Sequence, residues 1–295
     1  MSQSSTIVFF GSGPVAADTL SGLLNAGMQF EAIITKPRAE GHRGSVPVLE
    51  LAEARHLPLF TPVNKAQLTE LFRSHAFASP VGLVVDYGII ISREVIDAFP
   101  KGIINSHFSL LPQWRGADPI TFSVLSGQTS TGVSLMLINE KLDEGELLSQ
   151  EEIPLEPDIT TPVLTQKLIT ISNSMIIRDL PAYLHGDITP YPQSVAEPPT
   201  YSRKLTKEDG YLDVAKTAGR LEREIRAFRG WPKSKITLLD KYPVVVTQSR
   251  VAASPDDGAI VIACANNTYL EILELTGPSG KTMSGEAFLR GYSKK

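Results

Sequence analysis

Four short apolar runs lie near the front of this 295-residue chain, at Ile7–Phe10, Phe30–Thr35, Val81–Val85 and Gly102–Asn105. Stretches of helical spacing alternate with them, at Val15–Asn25, Leu49–His56 and Glu94–Phe99, and Leu59-Phe60 starts one more short strand. A strand that is apolar on both faces must be covered on both faces. Strands of this kind alternating with helices build a parallel, doubly wound α/β sheet. Thr131–Leu137 adds a strand, and Thr160–Leu180 carries the spacing of a long helix.

The chain then changes character. Leu180 to Pro199 contains Pro181, Pro190, Pro192, Pro198 and Pro199 and reads as a stiff linker. Beyond it come one helix, about Val214 to Phe228, and short strands at Val244–Thr247, Ala259–Ala263 and Tyr269–Leu275. These suit a small β-barrel of the oligonucleotide-binding type. The expected organisation is a catalytic domain over residues 1–184, a linker over 185–204 and a barrel domain over 205–295.

Composition narrows the class. With one cysteine, Cys264, a disulfide within the chain is excluded and a Cys-based metal site is not expected. Cys264 sits in an apolar run and reads as a buried strand residue. No apolar run approaches membrane-spanning length, and Met1–Thr6 has none of the regions of a signal peptide, so a cytoplasmic protein without membrane contact is expected. Net charge is −4, but residues 200–295 hold 16 Lys+Arg against 11 Asp+Glu while the rest of the chain is acidic. Such asymmetry suits either a solvated basic surface, the better reading from charge alone, or a C-terminal part that meets a polyanion.

The chemistry concentrates in Asn105-Ser-His107-Phe-Ser109-Leu-Leu-Pro112-Gln-Trp114-Arg115-Gly116. Asn105 and His107 stand two apart at the end of a strand, so their side chains share one face. Pro112 cannot continue a strand and should turn the chain into a pocket wall. Downstream, Leu142-Asp143-Glu144-Gly145 is good turn chemistry and could bring a carboxylate to the same place. An amide, an imidazole and a carboxylate without a nucleophilic Ser or Cys suggest direct group transfer. His42, His56, His75 and His185 have no comparable company, and no metal site is expected. Gly11-Ser-Gly13-Pro14-Val-Ala16 matches the dinucleotide fingerprint only loosely. Thr35-Lys36-Pro37-Arg38 stands where that fingerprint expects an acidic residue, so a tight turn into the first helix is the better reading.

The Asn105–Pro112 run, with Asp143-Glu-Gly145 downstream, resembles the active-site signature of the folate-dependent formyltransferases. Trp114-Arg115-Gly116 is similar to the branch whose members formylate methionyl-tRNA or amino sugars. Lys204–Glu208, Ile225-Arg226-Ala-Phe228-Arg-Gly-Trp231-Pro232 and Gly280-Lys281-Thr-Met283 through Leu289 extend the resemblance over nearly the whole chain and favour the tRNA-directed members.

The resemblance implies transfer of a formyl group from 10-formyltetrahydrofolate to the amine of methionyl initiator tRNA, a step in translation initiation. It implies Asn105, His107 and Asp143 as the catalytic residues. Ser109, Leu110, Leu111 and Pro112, with Tyr87, Gly88, Ile89 and Ile90, would meet the folate. Lys36, Arg38, Arg43, Arg226, Arg229 and Lys233 would meet the tRNA. A monomer without a protein partner is expected. A nucleotide-sugar N-formyltransferase with the same trio is the second reading. Two departures stand out: the Lys36–Val46 loop is short, with only three Lys or Arg residues, and Asp118 occupies a position usually small and neutral. Asp118 could pair with Arg115 or alter substrate access.

Overall fold

The computed structural model describes residues 6–41 and 44–293. In chain order the elements are β1 (Ile7–Gly11), α1 (Pro14–Asn25), β2 (Phe30–Ile34), α2 (Pro47–Ala54), β3 (Leu59–Phe60), α3 (Lys65–Ser74), β4 (Gly82–Val85), α4 (Arg93–Asp97), β5 (Ile103–His107), β6 (Arg115–Gly116), α5 (Pro119–Ser126) and β7 (Ser130–Leu137). They continue with β8 (Leu147–Pro154), α6 (Thr161–His185), β9 (Tyr201–Ser202), α7 (Ala218–Ala227), β10 (Ser234–Leu238), β11 (Tyr242–Ala252), β12 (Val261–Cys264), β13 (Thr268–Thr276), β14 (Thr282–Ser284) and α8 (Gly285–Tyr292). Two compact units result. The first takes the residues up to Gly116 with Gly132–Ile153 and Thr165–Tyr201. The second takes Ala117–Thr131, Pro154–Leu164 and the residues from Ser202 onward.

The first unit is built on a seven-stranded sheet of order β3-β2-β1-β4-β5-β7-β8. Neighbouring strands run parallel from β3 through β5, and β7 is antiparallel to β5. All five residues of β1 and all four of β4 are buried, which is why both read as continuous apolar runs. Val8, Phe10, Leu68, Val95 and Phe99 join one cluster on the sheet. At the end of β1, Pro14 opens α1, where its missing N–H would be unpaired in any case. A Cβ on Gly13 would collide with the Asp86 carboxylate, so the turn is filled from within the chain.

The helix expected to end at Leu180 runs on through Pro181 to His185. Burial of Leu180 and a hydrogen bond from the Tyr183 hydroxyl to the Lys101 carbonyl (2.9 Å) hold the extra turn. These tertiary contacts outweigh the helix-breaking tendency of one proline. After the helix, Tyr191 exchanges two backbone hydrogen bonds with Leu147 at the start of β8 (2.7 and 2.9 Å). The chain here is tied down more closely than its proline content suggests.

The second unit holds α7 against an antiparallel sheet of order β10-β11-β13-β12, with β14 on β13, in the form of a half-barrel. The long β11 pairs with both β10 and β13, and its register to β13 shifts near Val246 and Gln248. Such bulges bend a strand and let a sheet curl. Leu221 and Ile225 of α7, Val244, Leu270 and Ile272 of the sheet, and Phe288 of α8 meet in its core. Cys264 ends β12 at the edge of the sheet and is half-buried, not fully buried as its apolar neighbours suggested. Among the described residues no helix is long and apolar enough to cross a membrane.

Candidate active site

β5 delivers Asn105 and His107 to the carboxyl end of the sheet. Its residues pair in register with β4 on one side (Val84↔Asn105) and β7 on the other (His107↔Ser134). Ligands of open α/β sheets bind at such strand ends. His107 is buried and Asn105 half-buried.

Asp143 reaches the same place from the turn between β7 and β8. Gly145 makes this possible, because a Cβ there would collide with the Leu137 carbonyl at the end of β7. Asp143 itself lies at φ +51°, a left-handed conformation that side-chain-bearing residues seldom adopt. Its Oδ2 accepts from the Gly116 amide at 2.7 Å and stands 3.8 Å from His107 Nδ1. Its Oδ1 is 3.5 Å from Asn105 Nδ2. The Asn105 and His107 side chains therefore converge on the Asp143 carboxylate.

His107 Nε2 lies 3.0 Å from the Trp114 carbonyl. A carbonyl can only accept, so Nε2 carries the proton and donates it there. The neutral ring then presents a bare Nδ1 to Asp143. Burial lowers the imidazole's pKa; the Asp143 charge and the Trp114 carbonyl offset part of that effect. Nε2 is thus committed to the Trp114 carbonyl, Nδ1 faces the Asp143 carboxylate, and burial opposes charging of the ring.

The loop after β5 is fixed from behind. The Ser134 hydroxyl donates to the Ser109 carbonyl (2.6 Å) and accepts from the Leu111 amide (3.0 Å). Gln150 donates to the Leu111 carbonyl at 2.9 Å. Ser109, Leu111 and Pro112 are buried, and of the four expected folate-wall residues in this loop only Leu110 is half-buried. Beyond β4, the Tyr87 ring packs edge-on to Phe10 at 5.6 Å inside the core, and burial raises its phenol pKa. Gly88 and Ile90 face outward, Ile90 with 74% of its surface exposed, and Ile89 is half-buried. Because β4 and β5 are neighbours, this turn flanks the end of β5.

The expected cationic residues are dispersed. Lys36 lies at the end of β2, and its ammonium sits against Gly88, where it would meet a Cβ at 2.9 Å. Arg38 pairs with Glu50 at 2.7 Å and donates to the Gly44 carbonyl. The Ser45 hydroxyl and Arg38 hold the Glu50 carboxyl at about 2. Arg43 lies outside the described residues. In the second unit, Arg226 is not aimed outward: it forks onto Glu222 (2.6 and 2.9 Å) and donates to the Ile159 carbonyl. Its side chain is only 15% exposed. Arg229 and Lys233 are exposed. Asp118 stands at the N-terminal boundary of α5 at φ +57° with no side-chain bond to the helix; its carboxylate accepts from the Leu205 amide at 3.1 Å.

Three groups at the site are absent from the residue-by-residue expectation. They are the Gly116 amide, the Trp114 carbonyl and Gln193, whose side chain donates to the Asp143 carbonyl (2.7 Å) and the Gly145 carbonyl (3.0 Å). Trp114 and Gly116 sit in the signature run, but backbone groups leave no mark in a side-chain pattern. Gln193 lies in the proline-rich segment, where nothing local distinguishes it.

Comparisons with known proteins bear on the family of the chain. Residues 6–180 match the family described as Formyl transferase, and residues 204–293 match Formyl transferase, C-terminal domain. The chain is 37% identical over 252 residues to the Methionyl-tRNA formyltransferase of Roseiflexus sp. (strain RS-1), covering 84% of this chain and 77% of that protein. The enzyme of the same name from Janthinobacterium sp. (strain Marseille) is 34% identical, with 97% of each chain covered. Among solved structures, the N-formyltransferase from Helicobacter canadensis, in complex with folinic acid and dTDP-3-aminofucose, superposes with a TM-score of 0.69 at 15% identity, covering 91% of this chain and 98% of that one. Glycinamide ribonucleotide transformylase 1 from Symbiobacterium toebii gives a TM-score of 0.53 at 19% identity over 63% of this chain and 90% of its own.

Proposed function

The chain belongs to the formyl transferase family, carries both of that family's domains and is a transferase enzyme, and from that membership we propose that it moves a formyl group from 10-formyltetrahydrofolate to methionyl initiator tRNA. The observation that carries the reading is the convergence of Asn105 and His107 on the Asp143 carboxylate at 3.5 and 3.8 Å. The full-length similarity to methionyl-tRNA formyltransferases and the basic C-terminal part support tRNA as the acceptor. Catalysis is assigned to residues 1–184, tRNA binding to 205–295, and the connection to 185–204. A single cysteine suits the cytoplasm, and the lack of an obvious exposed apolar stripe in the sequence suits a monomer.

The step is direct. The methionyl amine attacks the formyl carbon, a C–N bond forms, and the carbonyl electron pair moves onto oxygen. The Asn105 amide donates to that oxyanion, aided by the charge that develops on His107. A preorganised donor of this kind contributes about 3 kcal/mol. The proton leaving the amine passes to the Asp143–His107 pair, whose bare Nδ1 is the acceptor. Collapse restores the carbonyl and breaks the bond to the folate nitrogen, which takes the proton as tetrahydrofolate leaves. The folate would lie against the Gly88–Ile90 turn with Leu110 near it, and Arg229 and Lys233 would meet tRNA phosphates.

The test is transfer of labelled formyl from 10-formyltetrahydrofolate to methionyl initiator tRNA, methionyl elongator tRNA and an amino-sugar nucleotide. Transfer to the initiator tRNA supports the reading. Transfer to the amino sugar alone would replace it with the nucleotide-sugar reading, which the sparsely basic 36–46 loop favours.

A further inference from the structure

Asp143 occupies an unfavourable backbone region, so something must hold it there. Gln193, half-buried and fifty positions downstream, does so with its whole amide. Its two N–H groups go to the carbonyls of Asp143 (2.7 Å) and Gly145 (3.0 Å). Its oxygen accepts from Arg115 Nη2 at 2.8 Å. Arg115 in turn reaches Glu144 through Nη1 at 3.2 Å. All three residues of the turn are thus held by one glutamine–arginine pair, and the amide can face only one way, since Arg115 can only donate and the carbonyls can only accept. Both holders are themselves anchored. The Arg115 amide donates to the Thr200 carbonyl at 2.9 Å, and Tyr191 is bridged to Leu147. The next residue after Arg115 is Gly116, whose amide holds the Asp143 carboxylate. Gln193 therefore grips the turn's backbone, while Gly116, next to Gln193's partner Arg115, holds the carboxylate that the turn presents.

We propose that Gln193 is a positioning residue for the formyl transfer: it clamps the Asp143–Gly145 turn so that the Asp143 carboxylate stays against His107 and Asn105. The inference rests on the catalytic reading of that trio. A displacement of order 1 Å at such a site costs as much as about 100-fold in rate.

Two variants separate the interactions. Gln193→Met keeps the bulk and loses every hydrogen bond. Gln193→Glu keeps an acceptor for Arg115 and has no donor for the two carbonyls. Both should fold, by circular dichroism, and both should lower kcat about 10- to 100-fold while KM for each substrate stays within about threefold. In an Asp143→Asn background, Gln193→Met should cost less than about threefold more, because the two act through one carboxylate. A readout that needs no substrate is the His107 ring titration followed by NMR. The groups facing the ring are the Asp143 carboxylate and the Trp114 carbonyl, and loosening Asp143 should move its midpoint downward in Gln193→Met. Unchanged kcat, or full additivity with Asp143→Asn, would overturn the inference. An unmoved ring titration would overturn it as well, including in the case where the wild type formylates no methionyl-tRNA, an outcome that sinks the functional reading separately.

Discussion

The Gly116 amide lies 2.7 Å from Asp143 Oδ2, closer than Asn105 or His107, the two side chains that the same carboxylate faces. His107 Nδ1 is 3.8 Å away, on the same oxygen. Asp143 is therefore located by backbone groups first and acts on the imidazole through its charge. This arrangement leaves the neutral ring's lone pair free to receive a proton, which a direct Nδ1–H donation to Asp143 would not.

Gly145 is where the turn is most sensitive to added bulk. Gly145→Ala forces a Cβ into the Leu137 carbonyl, and backbone cannot give way as a flexible side chain would. The variant should lose about 1–3 kcal/mol of stability and shift Asp143 away from His107. Thermal melting and turnover measured together check this; a variant with wild-type values in both would mean that the close approach is not required.

Burial of a neutral imidazole links stability to pH. Because the His107 pKa is lowered in the folded protein, the unfolded chain binds more protons between that lowered value and the ordinary 6.5. Stability should then fall as pH drops below about 6.5, and His107→Gln should remove that part of the loss. Denaturant melts at several pH values read it out. Identical pH dependence in the two proteins would show that His107 does not contribute.

The sequence pattern treats Arg226, Arg229 and Lys233 alike, and the structure separates them. Arg226→Ala breaks a fork onto Glu222 and a bond to the Ile159 carbonyl and should cost about 1–3 kcal/mol of stability. Neutralising Arg229 and Lys233 should leave the fold intact and reduce the salt slope of tRNA binding by about 0.7–0.9 for each phosphate that is no longer neutralised. An unchanged slope would put the tRNA elsewhere.

How much of this was legible beforehand follows from where each residue's partners lie. β1 and β4 were readable because a strand covered on both faces is apolar throughout, β2 and β5 because their apolar residues outweigh Glu31 in one and lead into the site in the other, and Asn105 and His107 because their i, i+2 spacing is itself the geometry. β8 was not, since Leu-Leu-Ser-Gln-Glu-Glu-Ile-Pro sits at the sheet edge with charged residues side by side. α5 escaped because it is short and carries β-branched residues, and α8 because glycines lie within it. The extra turn of α6 past Pro181 depends on Lys101, eighty positions earlier. Gln193 is the sharpest case: its three partners are supplied by two distant segments, and its own neighbourhood of prolines points to a linker.

The central claim is that the carboxylate of Asp143 drives a direct formyl transfer together with Asn105 and His107. The most direct measurement is single-turnover formyl transfer from 10-formyltetrahydrofolate to methionyl initiator tRNA by Asp143→Asn beside the wild type. The amide keeps the shape and an acceptor for Gly116 but loses the charge. The rate should fall by about 100-fold or more with folding unchanged. A variant that transfers formyl at close to the wild-type rate would contradict the role assigned to Asp143.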